Sequence, residues 1–491
     1  MSKDGGTTAS GADFHEHALM GRIPVLSGDR IYNRWYTWVL QAFLYGAATW
    51  SLLGGGYLGS ILPPLQGFAA FILGQTISLV LGSLFTGVIS SRFGVDLTDA
   101  ARTVLGSRGA QFVRLVVFAG MTVTTLILVS LMAAAFGQFA EVTLGMSSGG
   151  FVGAVCATTA LIFCVVIAKI GPSILERVAN WIIFPLFMVL LIALAWALIS
   201  RYGLVDLWSL RPDPELTIPG AYVRAVEFGL ATGFGYWITT GAMFRLVSSP
   251  RLAIHGSTVA WSYLILPITA VGIFAALAVG SADPTLWMYD LMGPVGGALA
   301  MMFIVVANIT ALIVMIYVAT VAARQSQGMM KIPSWVVMCV IAAPAVVATF
   351  FAHQVLASYA VIVAGLALPV APLVAVLTVD FFVLRRSQID IRHVFTPKQG
   401  TKYWYWGGVN PAAVVALIAG IATYLWMYNP LTGEAGVGAF EYLTATIPTM
   451  AVSALLYWVL SVCWVIPSGL GGYPTCKAPR HVDVETHEIG L

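Results

Sequence analysis

Charge is what this chain has least of: Asp, Glu, Lys and Arg make up 9% of its 491 residues, where soluble domains carry about 25%. That shortage excludes an ordinary soluble fold. The few cations do not interleave with aromatic residues, so nucleic-acid binding has no electrostatic footprint. Cysteine is scarce too. Cys156, Cys164, Cys339, Cys463 and Cys476 form no CxxC pair, and without one the usual zinc and dithiol spacings are missing. Four of the five lie in apolar stretches and read as small hydrophobes. The histidines (His15, His17, His255, His353, His393, His481 and His487) fall almost entirely in tails and loops, and neither HExxH nor a phosphate loop occurs. Acid–base chemistry lacks its groups, so the chain is not read as an enzyme. The opening "MSKDGGTTASGADFHEHALM" has no apolar core of the kind a cleaved export signal needs. Residues 1–30 read as a disordered cytoplasmic tail, and 467–491 as a cytoplasmic tail.

What is abundant is apolar surface: 59% of residues are hydrophobic and the mean hydropathy is +0.89. Apolar runs of membrane length fall near 36–58, 64–90, 111–138, 150–168, 178–200, 222–243, 253–280, 293–321, 332–351, 356–384, 409–428 and 443–466. They are too long for barrel strands and fit helices, giving an all-α integral membrane domain of twelve spans over 31–466. Charge placement supports the count. With both termini cytoplasmic, only Arg201, Arg211 and Arg224 of the 24 Lys and Arg residues lie outside, as the positive-inside rule requires. A missed helix would scramble that alternation. The location this predicts is a bacterial-type inner membrane. The longest connections, 201–221 and 385–408, leave no room for a soluble domain.

Two runs look built to come apart. The first contains "LYGAATWSLLGGGYLG", residues 44–59, and the sixth "GLATGFGYWITTGAMF", residues 229–244. Glycine costs about 1 kcal/mol relative to alanine inside a helix. The two runs lie five spans apart and run in opposite directions. Interrupted spans at matching places in two inverted halves mark transporter binding sites, because the freed peptide groups cannot be satisfied by lipid. Small residues also serve close helix packing, so the pattern alone admits both uses. Thr49 and Trp50 beside the first interruption, and Phe234, Gly235, Tyr236 and Trp237 in the second, are the candidate substrate-binding residues there.

Residues 380–410, "DFFVLRRSQIDIRHVFTPKQGTKYWYWGGVN", resemble the junction of helices 10 and 11 in the nucleobase–cation symporters, the permeases for cytosine, purines, allantoin and hydantoins. Asp380, Phe381, Phe382, Arg385, Arg386, Tyr403, Tyr405, Gly408 and Asn410 carry the likeness. "GVDLTDAARTVLGSRGA", residues 94–110, is similar to the segment after helix 2, with Arg102, Gly106, Arg108 and Gly109 in order. The resemblance implies the leucine-transporter fold. Helices 1–5 (about 36–200) and 6–10 (about 222–384) would form an inverted repeat, with helices 11–12 (about 409–466) appended. It also implies alternating access, import of a small nitrogen-containing solute, and a coupling ion, Na+ or H+. No organic cofactor is implied.

Site residues follow from the same resemblance. Sodium would sit between the first helix and the eighth, held by carbonyls near Gly46 and Ala47 and by Thr310, with Asn308 nearby. The family's further helix 8 hydroxyl and amides are replaced by Ala311, Leu312, Ile313 and Val314. The third helix has no tryptophan for stacking. It offers Thr122 and Thr125 as candidate substrate contacts, with Thr124 and Ser130 as its other polar groups. A cargo smaller or more apolar than a nucleobase fits these departures. Glu227 lies inside the sixth run and is a candidate proton site, or a partner for Arg224. Asp380, Arg385 and Arg386 read as a cytoplasmic gate or scaffold. Asp96 and Asp99 read as caps of a short helix. Two rival readings remain: an amino-acid or amine transporter of this fold, and a non-transporting membrane sensor.

Overall fold

A computed structural model describes residues 23–170, 184–212, 218–324, 329–396 and 398–474. The main helices are α1 (Trp35–Gly46), α2 (Trp50–Gly59), α3 (Pro64–Phe93), α4 (Ala110–Gln138), α5 (Gly149–Ile170), α6 (Phe184–Tyr202), α7 (Ile218–Phe244), α8 (Pro250–Thr258), α9 (Leu266–Val279), α10 (Pro284–Arg324), α11 (Ser334–Thr349), α12 (Tyr359–Thr378), α13 (Pro411–Met427) and α14 (Thr446–Leu460). Among the described residues, eight helices are long and apolar enough to cross a membrane, while α11 and α13 are apolar but shorter. Large side chains such as Leu115, Ile162, Ile192 and Trp196 stand exposed on the outside, as expected where lipid is the solvent.

The first apolar run is broken. α1 ends at Gly46 and α2 begins at Trp50, so three residues separate two short helices. The sixth run is not: α7 is one continuous helix through all its glycines. The expectation of two matched interruptions is corrected here. Those glycines serve packing instead. A Cβ on Gly229 would lie 2.8 Å from the Phe71 carbonyl, one on Gly233 would collide with Ser78, and one on Gly241 would meet Leu97 at 2.3 Å. Glycine at 229 and 233 lets α7 lie directly on α3, and Gly241 lets it meet the short helix Leu97–Ala100.

Other departures from regular helix fall elsewhere. α8 and α9 are joined by a wide turn of helix, Val259–Leu264, which carries Trp261. α10 bends at Gly293, whose φ of 70° only glycine adopts freely, just before Pro294. Residues 284–292 thus form a short helix of their own, and the long helix of the eighth span begins at Pro294, where the apolar run places it. The bundle is held by α3 on α7, α4 on α10 and α2 on α9. At the last of these, Gly55 and Gly272 face each other: a Cβ on either would lie 2.1–2.2 Å from a carbonyl of the opposite helix.

Residues 23–30, expected to be part of a disordered tail, are bonded to the bundle: Val25 N–H donates to the Gly94 carbonyl at 3.0 Å, and Arg30 reaches the Ser248 carbonyl at 3.2 Å. Residues 1–22 and 475–491 of the two expected tails lie outside the described residues, as do 178–183 of the fifth run. Asp96 caps the short helix Leu97–Ala100, as its position predicts. Asp99 is no cap; it pairs with Arg102 at 2.8 Å and Arg114 at 3.1 Å.

Candidate functional site at the break in the first helix

A helix that stops leaves carbonyls without partners, and in a membrane they must be met by protein, water or cargo. At Gly46 the protein meets them. Its carbonyl accepts from Trp50 Nε1 at 2.9 Å, Ser51 Oγ at 3.2 Å and Tyr236 Oη at 3.2 Å. The Gly46 carbonyl, expected as an ion ligand, is here the centre of a hydrogen-bond knot, and a cation bound to it would displace one of these donors. On the other side of the break, Thr49 gives both its N–H (3.3 Å) and its hydroxyl (2.8 Å) to Asn308 Oδ1. Asn308 Nδ2 reaches the Leu128 carbonyl at 3.5 Å. Asn308 thus ties the break to α10 and α4. Thr310 lies on the same helix, buried, with its hydroxyl donated back to the Ala307 carbonyl at 2.8 Å.

Beside the break is a cavity with about 50 Å³ open to the centre of a water molecule, room for a few waters or part of a small solute. Its wall includes Trp50, Gln75, Thr124, Phe228, Tyr236 and Tyr359, drawn from α2, α3, α4, α7 and α12. Tyr236 stacks on Trp261 (centroids 5.0 Å, 8° between planes) and meets Trp50 edge-on at 5.8 Å. Trp261 Nε1 donates to the Ala42 carbonyl at 2.6 Å. These rings hold the wall rigid. No charged side chain lines the cavity among the described residues.

The cavity receives Trp50, Gly235 and Tyr236 of the expected substrate contacts. Thr49 is buried at the break, bonded to Asn308. The others are corrected. Phe234 and Trp237 are buried off the cavity wall, Trp237 against α3, where a Cβ on Gly82 would touch its ring at 3.1 Å. Thr122 and Thr125 give their hydroxyls back to Phe118 and Met121, each at 2.8 Å, and it is Thr124 that faces the cavity. Sequence reasoning missed Gln75, Trp261, Phe228 and Tyr359. An amide deep inside the second apolar run, beyond Gln66 at its start, was the one available signal: Gln75 Nε2 bonds the Trp261 carbonyl while its Oε1 accepts from Thr232 at 3.3 Å.

The family model of permeases for cytosine and purines, uracil, thiamine and allantoin matches residues 28–460. The chain belongs to that permease family. It is a multi-pass membrane transporter, not an enzyme. Among solved structures it is similar to Mhp1, a nucleobase-cation-symport-1 family transporter, in a closed conformation with bromovinylhydantoin bound. That likeness has 16% identity over 91% of this chain and 96% of that one, with a TM-score of 0.75. The inward-facing conformation of Mhp1 gives 16% identity over 92% and 94%, with a TM-score of 0.74. A Na+-coupled sialic acid symporter is more distant, at 11% identity over 91% and 94% and a TM-score of 0.56. Likeness at these identities shows a shared fold. No curated protein matches the sequence.

Two groups of this permease lie outside the cavity. Glu227 is 3% exposed. It accepts the backbone N–H of Ala445 (3.0 Å) and Thr446 (3.1 Å) and the Thr446 hydroxyl (2.6 Å). It caps the start of α14 from across the bundle, and the expected pairing with Arg224 is corrected. Its oxygens are consumed by this cap, an arrangement that suits a structural role. Glu227→Ala is expected to cost about 2–4 kcal/mol, since it strands buried donors, while Arg224→Ala costs far less. Thermal unfolding of both variants in detergent checks this.

The second group is cytoplasmic. Asp380 accepts from Arg385 Nε at 2.5 Å and from Tyr457 and Tyr473, each at 2.7 Å. Arg385 also donates to the carbonyls of Gly471 (2.7 Å) and Thr103 (2.6 Å) and to Tyr405 (2.7 Å). Its guanidinium lies 4.2 Å from the Tyr473 ring centre. This clasp joins the turn of helix that follows α12, α14, the 94–110 segment, the 403–410 loop and the end of the described chain. Arg386 is exposed, with φ at 52°, and takes no part in it.

Proposed function

We propose that this chain imports a nucleobase or a related small, neutral, nitrogen-containing solute by alternating access, driven by a Na+ or H+ gradient. It does so as a twelve-helix protein of the inner membrane with both termini cytoplasmic. The observation that carries the reading is the uncharged, aromatic-walled cavity beside the broken first helix. An inverted repeat of five plus five helices is supported by the packing. Shifting each partner by five spans turns α2 on α9 into α7 on α3, and α4 on α11 into α10 on α5, and all four contacts are present. An amino acid or amine would bring a full charge, and the wall offers it no counter-charge.

The oxygens near the break fit sodium poorly. Gly46 already accepts from three donors, and the Ala47 carbonyl and Thr310 hydroxyl alone fall short of the roughly six oxygens that a hard cation gathers. Proteoliposome uptake of a nucleobase panel, with Na+ and H+ gradients imposed in turn, tests the proposal. Accumulation that collapses with one gradient is the expected result. Binding without accumulation under either gradient would instead support the sensor reading.

A further inference from the structure

A second hollow lies between α4, α7 and α12. About 440 Å³ of it is open to the centre of a water molecule, and none of its lining side chains is polar. Water held in such a space needs two to four polar partners, and these side chains offer none. The hollow opens sideways toward lipid: Leu115 is 61% exposed, and Ala119 and Gly365 on its wall are exposed as well. Gly365 keeps it wide, since a Cβ there meets nothing within 4 Å. An unfilled void would forfeit the dispersion contacts of its whole lining, and in a bilayer the material at hand is hydrocarbon.

A cation stands at one end of this hollow. Phe112, Leu115, Ala119 and Val123 line it at helical spacing, so it runs along one face of α4. Arg108 lies four residues before Phe112, on the turn that leads into α4, where the Gln111 N–H donates to its carbonyl at 3.0 Å. The side chain is exposed. Its guanidinium lies 5.3 Å from the Trp404 ring centre, and among the described residues it has no carboxylate or hydrogen-bond partner. Two residues on from Trp404, Trp406 packs on Trp464 with centroids at 5.1 Å, both partly exposed. Exposed tryptophans gather at headgroup level, which puts Arg108 at the depth of lipid phosphates. We propose that the hollow holds an acyl chain of an anionic phospholipid whose phosphate pairs with Arg108. Leu366 lines both this hollow and the cavity beside Gly46, so the bound chain backs one wall of the solute site without entering it.

Native mass spectrometry of the purified full-length protein tests the site, with phosphatidylglycerol or phosphatidylcholine of matched chains added. Phosphatidylglycerol is expected to bind about fivefold more tightly. Arg108→Gln removes that preference and leaves phosphatidylcholine binding as it was. Gly365→Leu, which fills the hollow, weakens binding of both lipids about tenfold. A wild-type experiment stands even if a variant fails to fold: phosphatidylglycerol with a photoreactive diazirine in its acyl chain is expected to label peptides within 112–123 or 362–370. Equal binding of the two lipids, a preference that survives Arg108→Gln, unchanged binding in Gly365→Leu, or labelling confined to other helices would each overturn the proposal. A dimer that expels the lipid and is lost in Gly365→Leu would overturn it too, and would make this face a contact between copies of the chain.

Discussion

Gly235→Leu abolishes binding and uptake and leaves the protein folded. Gly235 lies in the middle of α7 and lines the cavity, and a Cβ built on it meets nothing within 4 Å. A leucine there projects into the space the solute needs. The backbone is already helical, so replacing glycine favours the folded state by about 0.5–1 kcal/mol. Uptake falls at least a hundredfold while the melting temperature holds or rises. Gly233→Leu, two residues earlier, has the opposite cause of failure. Its Cβ would lie 1.9 Å from Ser78 Oγ and 3.0 Å from the Gln75 carbonyl, so α7 cannot stay seated on α3. That variant loses monodisperse protein altogether. Size-exclusion profiles, thermal unfolding and uptake of the two variants side by side check the contrast. Equal stability losses in both would show that the open space at Gly235 is not there.

The second large effect belongs to the cytoplasmic clasp. Arg385 is 1% exposed and Asp380 is fully buried, so removing one partner leaves a charge stranded away from water. Arg385→Ala is expected to cost about 3–5 kcal/mol. It strands Asp380 and unties the Gly471 and Thr103 carbonyls in one step. Arg385→Lys recovers only part of this, because an ammonium cannot reproduce the fork that reaches four partners. Arg386→Ala, at the exposed neighbour, stays within about 0.5 kcal/mol. Denaturant titration of the three variants in one detergent gives the comparison. If Arg385→Ala matched Arg386→Ala, the clasp would be a surface decoration.

The membrane architecture was legible because lipid imposes harsh rules: long apolar runs and an inside bias of cations leave few alternatives. The broken first helix was legible for the same reason. The sixth run misled because glycine answers two needs. Gly229, Gly233 and Gly241 each abut a neighbouring helix while Gly235 faces a void, and nothing local distinguishes them. The third helix went wrong by phase. Neighbouring residues on a helix point about 100° apart, so Thr124 faces the cavity and Thr125 does not. Glu227 could not be assigned from its surroundings in the chain, since its partners lie 218 and 219 positions away. Arg224 was near in sequence, but the carboxylate bonds Ala445 and Thr446 instead.

The central claim is that solute passes through the cavity beside Gly46. It is tested most directly by placing one cysteine in that wall, Ser51→Cys, after replacing the native five, and alkylating it in sealed vesicles with a membrane-impermeant maleimide. Reaction from the outer face and, in separate experiments, from the inner face is predicted, each slowed when the solute is present. Reaction from one face only under every gradient and solute condition would contradict it.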